Sequence, residues 1–314
     1  MGKMPMLRYD KAAGAAGKLT ERKLVKICAF VAALAVTVGA MQSFGAGEQS
    51  KQARAVFEKN KDAVVWVTAV EKAEISGGGR SLAKQENKVQ ALGTIIEPGG
   101  LTVVSLSDID PAAALEGKNY QGMKLSTVRE HIEVKIVLPP SKANPNGLEV
   151  PARIAMKDPD LNLAFVLPDE TAKDKPAAFP FIKLEKAPKL DVLDDLVCIG
   201  RMVKNLEQAP VVSMSEVASV VQKPRTFIIG GKYHGGPVFT LDGTMVGITA
   251  LYTSENSQIT TTVILPAEDV QEVAQQAKTA KPVKPTPSTT KSADAAGDTT
   301  KPKDGATPAP VIQK

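Results

Sequence analysis

Apolar and polar residues alternate along most of this chain with the two-residue period of β-strands. The first clear run, Val64-Val65-Trp66-Val67-Thr68-Ala69-Val70, is apolar and rich in β-branched residues. Residues 90–97 lead into Pro98-Gly99-Gly100 and 101–106 follow at once, which predicts a hairpin. Further short runs fall at 131–138, 149–156, 163–167, 196–200, 211–221, 226–229, 237–240, 245–251 and 259–265. Asp242-Gly243 is a strong turn signal between two of them. About a dozen short strands, with no helical segments alternating between them, predict an all-β protein of closed or sandwiched antiparallel sheets. Two helices frame the strands. One spans 48–59; the other, 266–278, opens with Pro266 and has Glu268 and Asp269 in its first turn. The polar stretch 71–88 reads as an insertion with a flexible hairpin tip at Gly77-Gly78-Gly79. It is not a phosphate cradle, because no Lys-Ser/Thr pair and no helix start follow it.

The two ends differ from this body. Residues 27–46 carry no charge and follow a basic leader with seven Lys/Arg against Asp10 and Glu21. This is the pattern of a secretory signal, with Phe44-Gly45-Ala46 near a cleavage point; an uncleaved membrane anchor is the alternative. Either one predicts export, with the body periplasmic, extracellular or anchored facing out of the cytoplasm. Residues 278–314 hold six Pro, seven Thr and no aromatic residue, a composition that buries too little apolar surface to order itself. The net charge of +5 belongs to these ends, for the leader carries +5, the tail +4 and residues 47–277 therefore −4. A body without basic excess excludes nucleic acid as a partner. The basic tail instead offers association with a membrane or an anionic envelope polymer. Two cysteines, Cys28 and Cys198, make no disulfide framework, and nothing has metal-ligand spacing. No metal site and no cofactor are expected. At 43% hydrophobic and 23% charged residues, the composition excludes wholesale disorder.

Four motifs then point to a family. Gly235-Gly236-Pro237-Val238-Phe239-Thr240-Leu241-Asp242-Gly243, continuing to Gly247-Ile248, resembles the strand-turn-strand after the nucleophile in trypsin-like serine proteases of the HtrA type. Gly93-Thr94-Ile95-Ile96, with Gly100-Leu101-Thr102-Val103-Val104, is similar to the stretch leading to the catalytic histidine. Asp158-Pro159-Asp160-Leu161-Asn162-Leu163-Ala164-Phe165-Val166 resembles the surroundings of the triad aspartate, and Val197-Cys198-Ile199-Gly200 a strand of the second barrel. The resemblance implies two antiparallel six-stranded β-barrels. Residues 1–46 are then signal or anchor, 47–172 the N-terminal helix and first barrel, 173–277 the second barrel and closing helix, and 278–314 the tail. No PDZ-like module is expected in the residues that follow the barrels, 278–314.

The same resemblance places the triad on Ser107, Asn162 and His234, and the oxyanion-hole donors on Lys232 and His234. None of the three triad slots keeps the residue it needs. A serine oxygen attacks, a histidine takes its proton, and a carboxylate orients the imidazole and stabilises its cationic form. Ser107 is no base near neutral pH, Asn162 brings no negative charge, and His234 has no serine oxygen to activate. Lys232 replaces the usual glycine that shapes the oxyanion pocket. Ser107 and His234 look exchanged, but a reversed pair would direct the oxyanion away from those donors. Other residues have structural readings: His131 a solvated surface residue, Cys198 a small buried apolar one, Trp66 core. Asp191, Asp194 and Asp195 form a turn cluster without the spacing of a calcium loop. The sequence therefore predicts a catalytically inactive trypsin-like protein, a pseudoprotease that binds protein or peptide between its barrels. The alternative is a serine-type endopeptidase with a non-standard or displaced site.

Overall fold

A computed structural model describes residues 47–141, 144–223, 225–253 and 260–280. The expected signal or anchor and the expected tail beyond residue 280 lie outside these residues. Among the described residues no helix is long and apolar enough to cross a membrane.

Helix α1 (47–60) turns Ala53, Val56 and Phe57 inward, an i, i+3, i+4 stripe. Although it precedes the first barrel in sequence, it lies against the second sheet. Its Gln49 Nε2 donates to Asp195 at 3.0 Å, and Val56 faces Gly243.

Seven strands follow: β1 (Val64–Gly77), β2 (Arg80–Ile95), β3 (Thr102–Ser105), β4 (Asn119–Tyr120), β5 (Met123–Leu138), β6 (Leu148–Asp158) and β7 (Leu163–Pro168). All pairings are antiparallel in the order β1-β2-β3-β7-β6-β5-β4, and a β1–β5 pairing closes six of them into a barrel. Closure removes the sheet edges that short alternating strands would otherwise expose. Inward residues such as Val65, Ile95, Val104, Ile136, Val150 and Val166 fill it.

The polar stretch after Val70 is an arm of this barrel and not a loop. β1 and β2 stay paired from Glu71↔Asn87 to Gly77↔Arg80, with a one-residue shift between Ile75 and Ser76, and β5 lines the other side of β1. The tip turns through Gly78 (φ +58) and Gly79 (φ +77), the left-handed pair that a two-residue hairpin turn requires. Between β3 and β4 the chain makes a short helix, α2 (Leu106–Ile109), and a 3-10 turn (Pro111–Leu115), neither of which the alternation foretold.

The second sheet contains β8 (Asp195–Arg201), β9 (Pro210–Glu216), β10 (Ser219–Val221), β11 (Phe227–Ile229), β12 (Pro237–Thr240), β13 (Met245–Thr253) and β14 (Thr260–Pro266), in the order β10-β11-β14-β13-β12-β8-β9. The run expected as one strand at 211–221 breaks at Val217 and Ala218. Those two residues carry the chain from one end of the sheet order to the other, so the sheet curls round on itself. The first barrel is closed by strand pairing and the second is a curled half-barrel. Helix α3 (Ala267–Thr279) follows Pro266 and buries Val270, Ala274 and Ala277 on its outer wall.

The two sheets belong to one compact unit, and Arg201 ties them together. Its guanidinium, 6% exposed, donates to the carbonyls of Val64, Lys61 and Gln208, each at 2.8 Å. Trp66 adds an indole N–H to the Met202 carbonyl at 2.8 Å. Arg201→Met leaves three carbonyls without that donor and is expected to cost about 3 kcal/mol. Urea unfolding checks this; a loss under about 0.5 kcal/mol would show that Arg201 is not the tie.

Candidate functional site

Ser107 sits in α2 at the end of β3, and Asn162 in the tight turn between β6 and β7. The two are joined directly. Asn162 Oδ1 accepts the Ser107 backbone N–H at 2.9 Å, and its Nδ2 donates to Ser107 Oγ at 3.1 Å. The same Nδ2 donates to the Leu251 carbonyl on β13 at 2.9 Å, so one amide bridges the first barrel to the second sheet. Asn162 has φ +54, a left-handed conformation that asparagine tolerates better than most residues, and its own carbonyl accepts the Leu106 N–H. Beyond Ser107 the chain of polar groups continues to the buried Ser105 hydroxyl at 3.0 Å.

His234 is half-buried in the loop before β12. Its hydrogen bond among the described residues is from Nε2 to Thr262 Oγ1, at 3.3 Å. It is close enough to Asp108 to pull that carboxyl's pKa down, against burial, which is stronger and leaves the group raised. The structure thus joins Ser107 to Asn162 and puts His234 on the same side, facing Asp108 and Thr262, with no hydrogen bond to Ser107. Asp108 is the member that sequence reasoning missed. Its signal was only its place directly after Ser107.

The loop that carries His234 is held by glycine and by one strained tyrosine. Gly231 (φ +79), Tyr233 (φ +61) and Gly235 (φ +79) are all left-handed. The Tyr233 ring packs so closely on Gly200 that a Cβ there would lie 2.5 Å from its Cγ. Lys232, the first oxyanion slot, has its backbone N–H near enough to the buried Cys198 sulfur to favour the thiolate. Burial has the larger effect, and the thiol is pushed up overall.

A second cluster lies behind α2. Metal-capable atoms of Glu71, Asp110 and His131 lie within 4.8 Å of one another. Lys157 (2.5 Å) and Arg129 (3.4 Å) reach the Asp110 carboxylate and supply positive charge there already. His131 is not a solvated surface residue: it is half-buried, with Nε2 on the Ile109 carbonyl at 2.8 Å. Burial leads in pushing its pKa down.

No protein-family model matches the chain, and no curated protein matches it. The class is therefore defined by architecture: a closed six-stranded barrel joined to a curled second sheet, consistent with a trypsin-like double barrel.

The site is built for an amide. Asn162→Asp would set a carboxylate against the Leu251 carbonyl in place of the donor, and is expected to cost about 1–3 kcal/mol at pH 7. Unfavourable contact raises the folded-state pKa of the new carboxyl above its unfolded value. The variant's stability is then fullest below the unfolded value and is lost as pH rises through the raised one. Thermal unfolding of the variant from pH 3.5 to 7.5, set against the native chain, checks this sign. A variant as stable as the native chain at pH 7 would contradict the role given to Nδ2.

Proposed function

We propose that this protein is an exported pseudoprotease, a degenerate relative of the trypsin-like proteases of the HtrA type, which binds extended protein or peptide segments beside the Ser107–Asn162 pair. The observation that carries this reading is the Asn162 amide bridge. The slot where the resemblance expects a carboxylate under an imidazole holds a neutral amide shared between a serine and a backbone carbonyl. Among the described residues no proton acceptor of adequate basicity touches Ser107, and no hydroxyl stands in the His234 slot to be activated.

An adjacent strand edge supports the binding half of the proposal. Thr249 exchanges backbone hydrogen bonds with Gly235 and Gly236. By the alternation of an antiparallel strand, Leu251 and Thr253 face the same way. The β12–β13 ladder stops at Pro237↔Ile248, and among the described residues the Leu251 N–H on that side has no partner. An extended peptide can pair with such an edge without any catalytic group, and specificity then comes from alternate side chains.

The test uses the full chain with β-casein, a natively unfolded protein. The expected result is no cleavage after prolonged incubation, together with shifted amide resonances at Leu251 and Thr253. His234→Ser alone stays inactive. The combination of Ser107→His, Asn162→Asp and His234→Ser gains weak hydrolysis only if the backbone N–H groups at positions 232 and 234 converge on one oxyanion. Cleavage by the native chain that His234→Ala abolishes would overturn the proposal in favour of an endopeptidase with exchanged roles. Absence of both cleavage and binding would overturn the binding function.

A further inference from the structure

The Glu71–Asp110 contact behind α2 is unusual for a buried pair. Glu71 is 0% exposed and Asp110 1%, and a carboxylate oxygen of each lies within 4.8 Å of the other. Among the described residues both Glu71 oxygens and Asp110 Oδ1 lack a hydrogen-bond partner. Two ionised carboxylates buried side by side would repel, whereas one proton between them makes a strong O–H···O bond. We propose that Glu71 is a neutral carboxylic acid in the folded protein, donating its proton to Asp110 Oδ1, and that this shared proton latches the α2 turn, with Ser107, onto the barrel wall.

The surrounding charges fit one proton. Asp110 has Lys157 Nζ at 2.5 Å on Oδ2 and Arg129 Nε at 3.4 Å from Oδ1, so it is the member that stays ionised. Burial alone would raise its pKa, but Lys157 and its other partners outweigh that and hold it low. His131, opposite Glu71 in the β1–β5 register, donates Nε2–H to Ile109 and turns Nδ1 toward Lys157 at 3.4 Å. Burial leads in holding its pKa below the ordinary value, so it is a poor acceptor for a proton from Glu71. The Ala112 amide also faces Glu71 and partly favours its charged form, but burial and Asp110 prevail and push the carboxyl up to about 7.

The latch acts on a short segment. Asp110 closes α2 through its N–H to the Leu106 carbonyl (2.8 Å) and accepts the Ala113 N–H (3.1 Å). When Glu71 loses its proton to solvent, the two carboxylates repel, and the segment 106–115 is the part free to move away from β1. A carboxyl whose pKa is higher folded than exposed stabilises the closed form at low pH. That contribution is lost as pH rises from its exposed value through about 7. His131, held below its ordinary value, acts in the opposite sense below pH 6.5 and must be removed to see Glu71 alone.

Two measurements test this. A carbon-detected NMR titration of the native full chain, with Glu71 assigned by comparison with Glu71→Gln, is expected to show Glu71 titrating near neutral pH. Hydrogen exchange is then followed at the Asp110 and Ala113 amides in a His131→Gln background and corrected for intrinsic rates. Protection is expected to fall about thirtyfold between pH 5.5 and 8.5, as linkage requires for a carboxyl at about 7 closed and about 4.5 open. Adding Glu71→Gln, which still donates to Asp110 but does not titrate, should hold the change below about threefold. Glu71 titrating at its ordinary value in the native chain, or protection that does not respond to pH, would overturn the latch. The native titration decides the matter even if a variant fails to fold.

Discussion

The arrangement of the site depends on how closely the second sheet approaches the first barrel at Gly235. A Cβ on this residue would lie 2.0 Å from the Leu92 carbonyl oxygen, and its φ of +79 is one that side chains rarely adopt. Its carbonyl accepts the Thr94 hydroxyl from the first barrel at 2.7 Å, while its N–H donates to Thr249 on the second sheet. One residue is thus hydrogen-bonded to both halves and small enough to let them meet. His234 precedes it and Thr249 leads on to Leu251, so the same contact sets the position of the histidine and the carbonyl that Asn162 reaches. Arg201 and Trp66 make a second tie between the sheets at β1 and β8.

Much of this was readable in the residues. Alternation located most strands, and Pro98-Gly99-Gly100 and Asp242-Gly243 marked real hairpin connections, because local turn chemistry decides such features. The arm was misjudged for a physical reason. Most residues of β2 from Arg80 to Lys88 are solvent-exposed, so no hydrophobic period marks them, and their strand form comes from pairing with β1 across the Gly78-Gly79 turn. The start of β5 escaped notice likewise. Helix α2 is too short for any periodicity. Its ends are set instead by the Asn162 carbonyl on Leu106 and by the ion pairs of Asp110.

The candidate residues could be named from the sequence, and their contacts could not. Gly235-Gly236-Pro237 marks the loop because steric demands act on sequence directly. That Asn162 would bridge Ser107 to Leu251 follows from tertiary approach alone, as does the pairing of His234 with Thr262 instead of Ser107. Glu71 was hidden in a segment that reads as polar and solvated. Its burial arises only because β5 and the α2 segment cover it from both sides. Polar residues whose burial is imposed by distant elements are those that pattern reading assigns to solvent.

The central claim is that Ser107, Asn162 and His234 cannot together activate a nucleophile. Treatment of the full chain with a fluorophosphonate probe, followed by intact mass and peptide mapping, tests it most directly, because such probes label serines only where a base and an oxyanion pocket act together. The account predicts no adduct at Ser107 above the level of other surface serines. A stoichiometric adduct at Ser107 that His234→Ala prevents would contradict it.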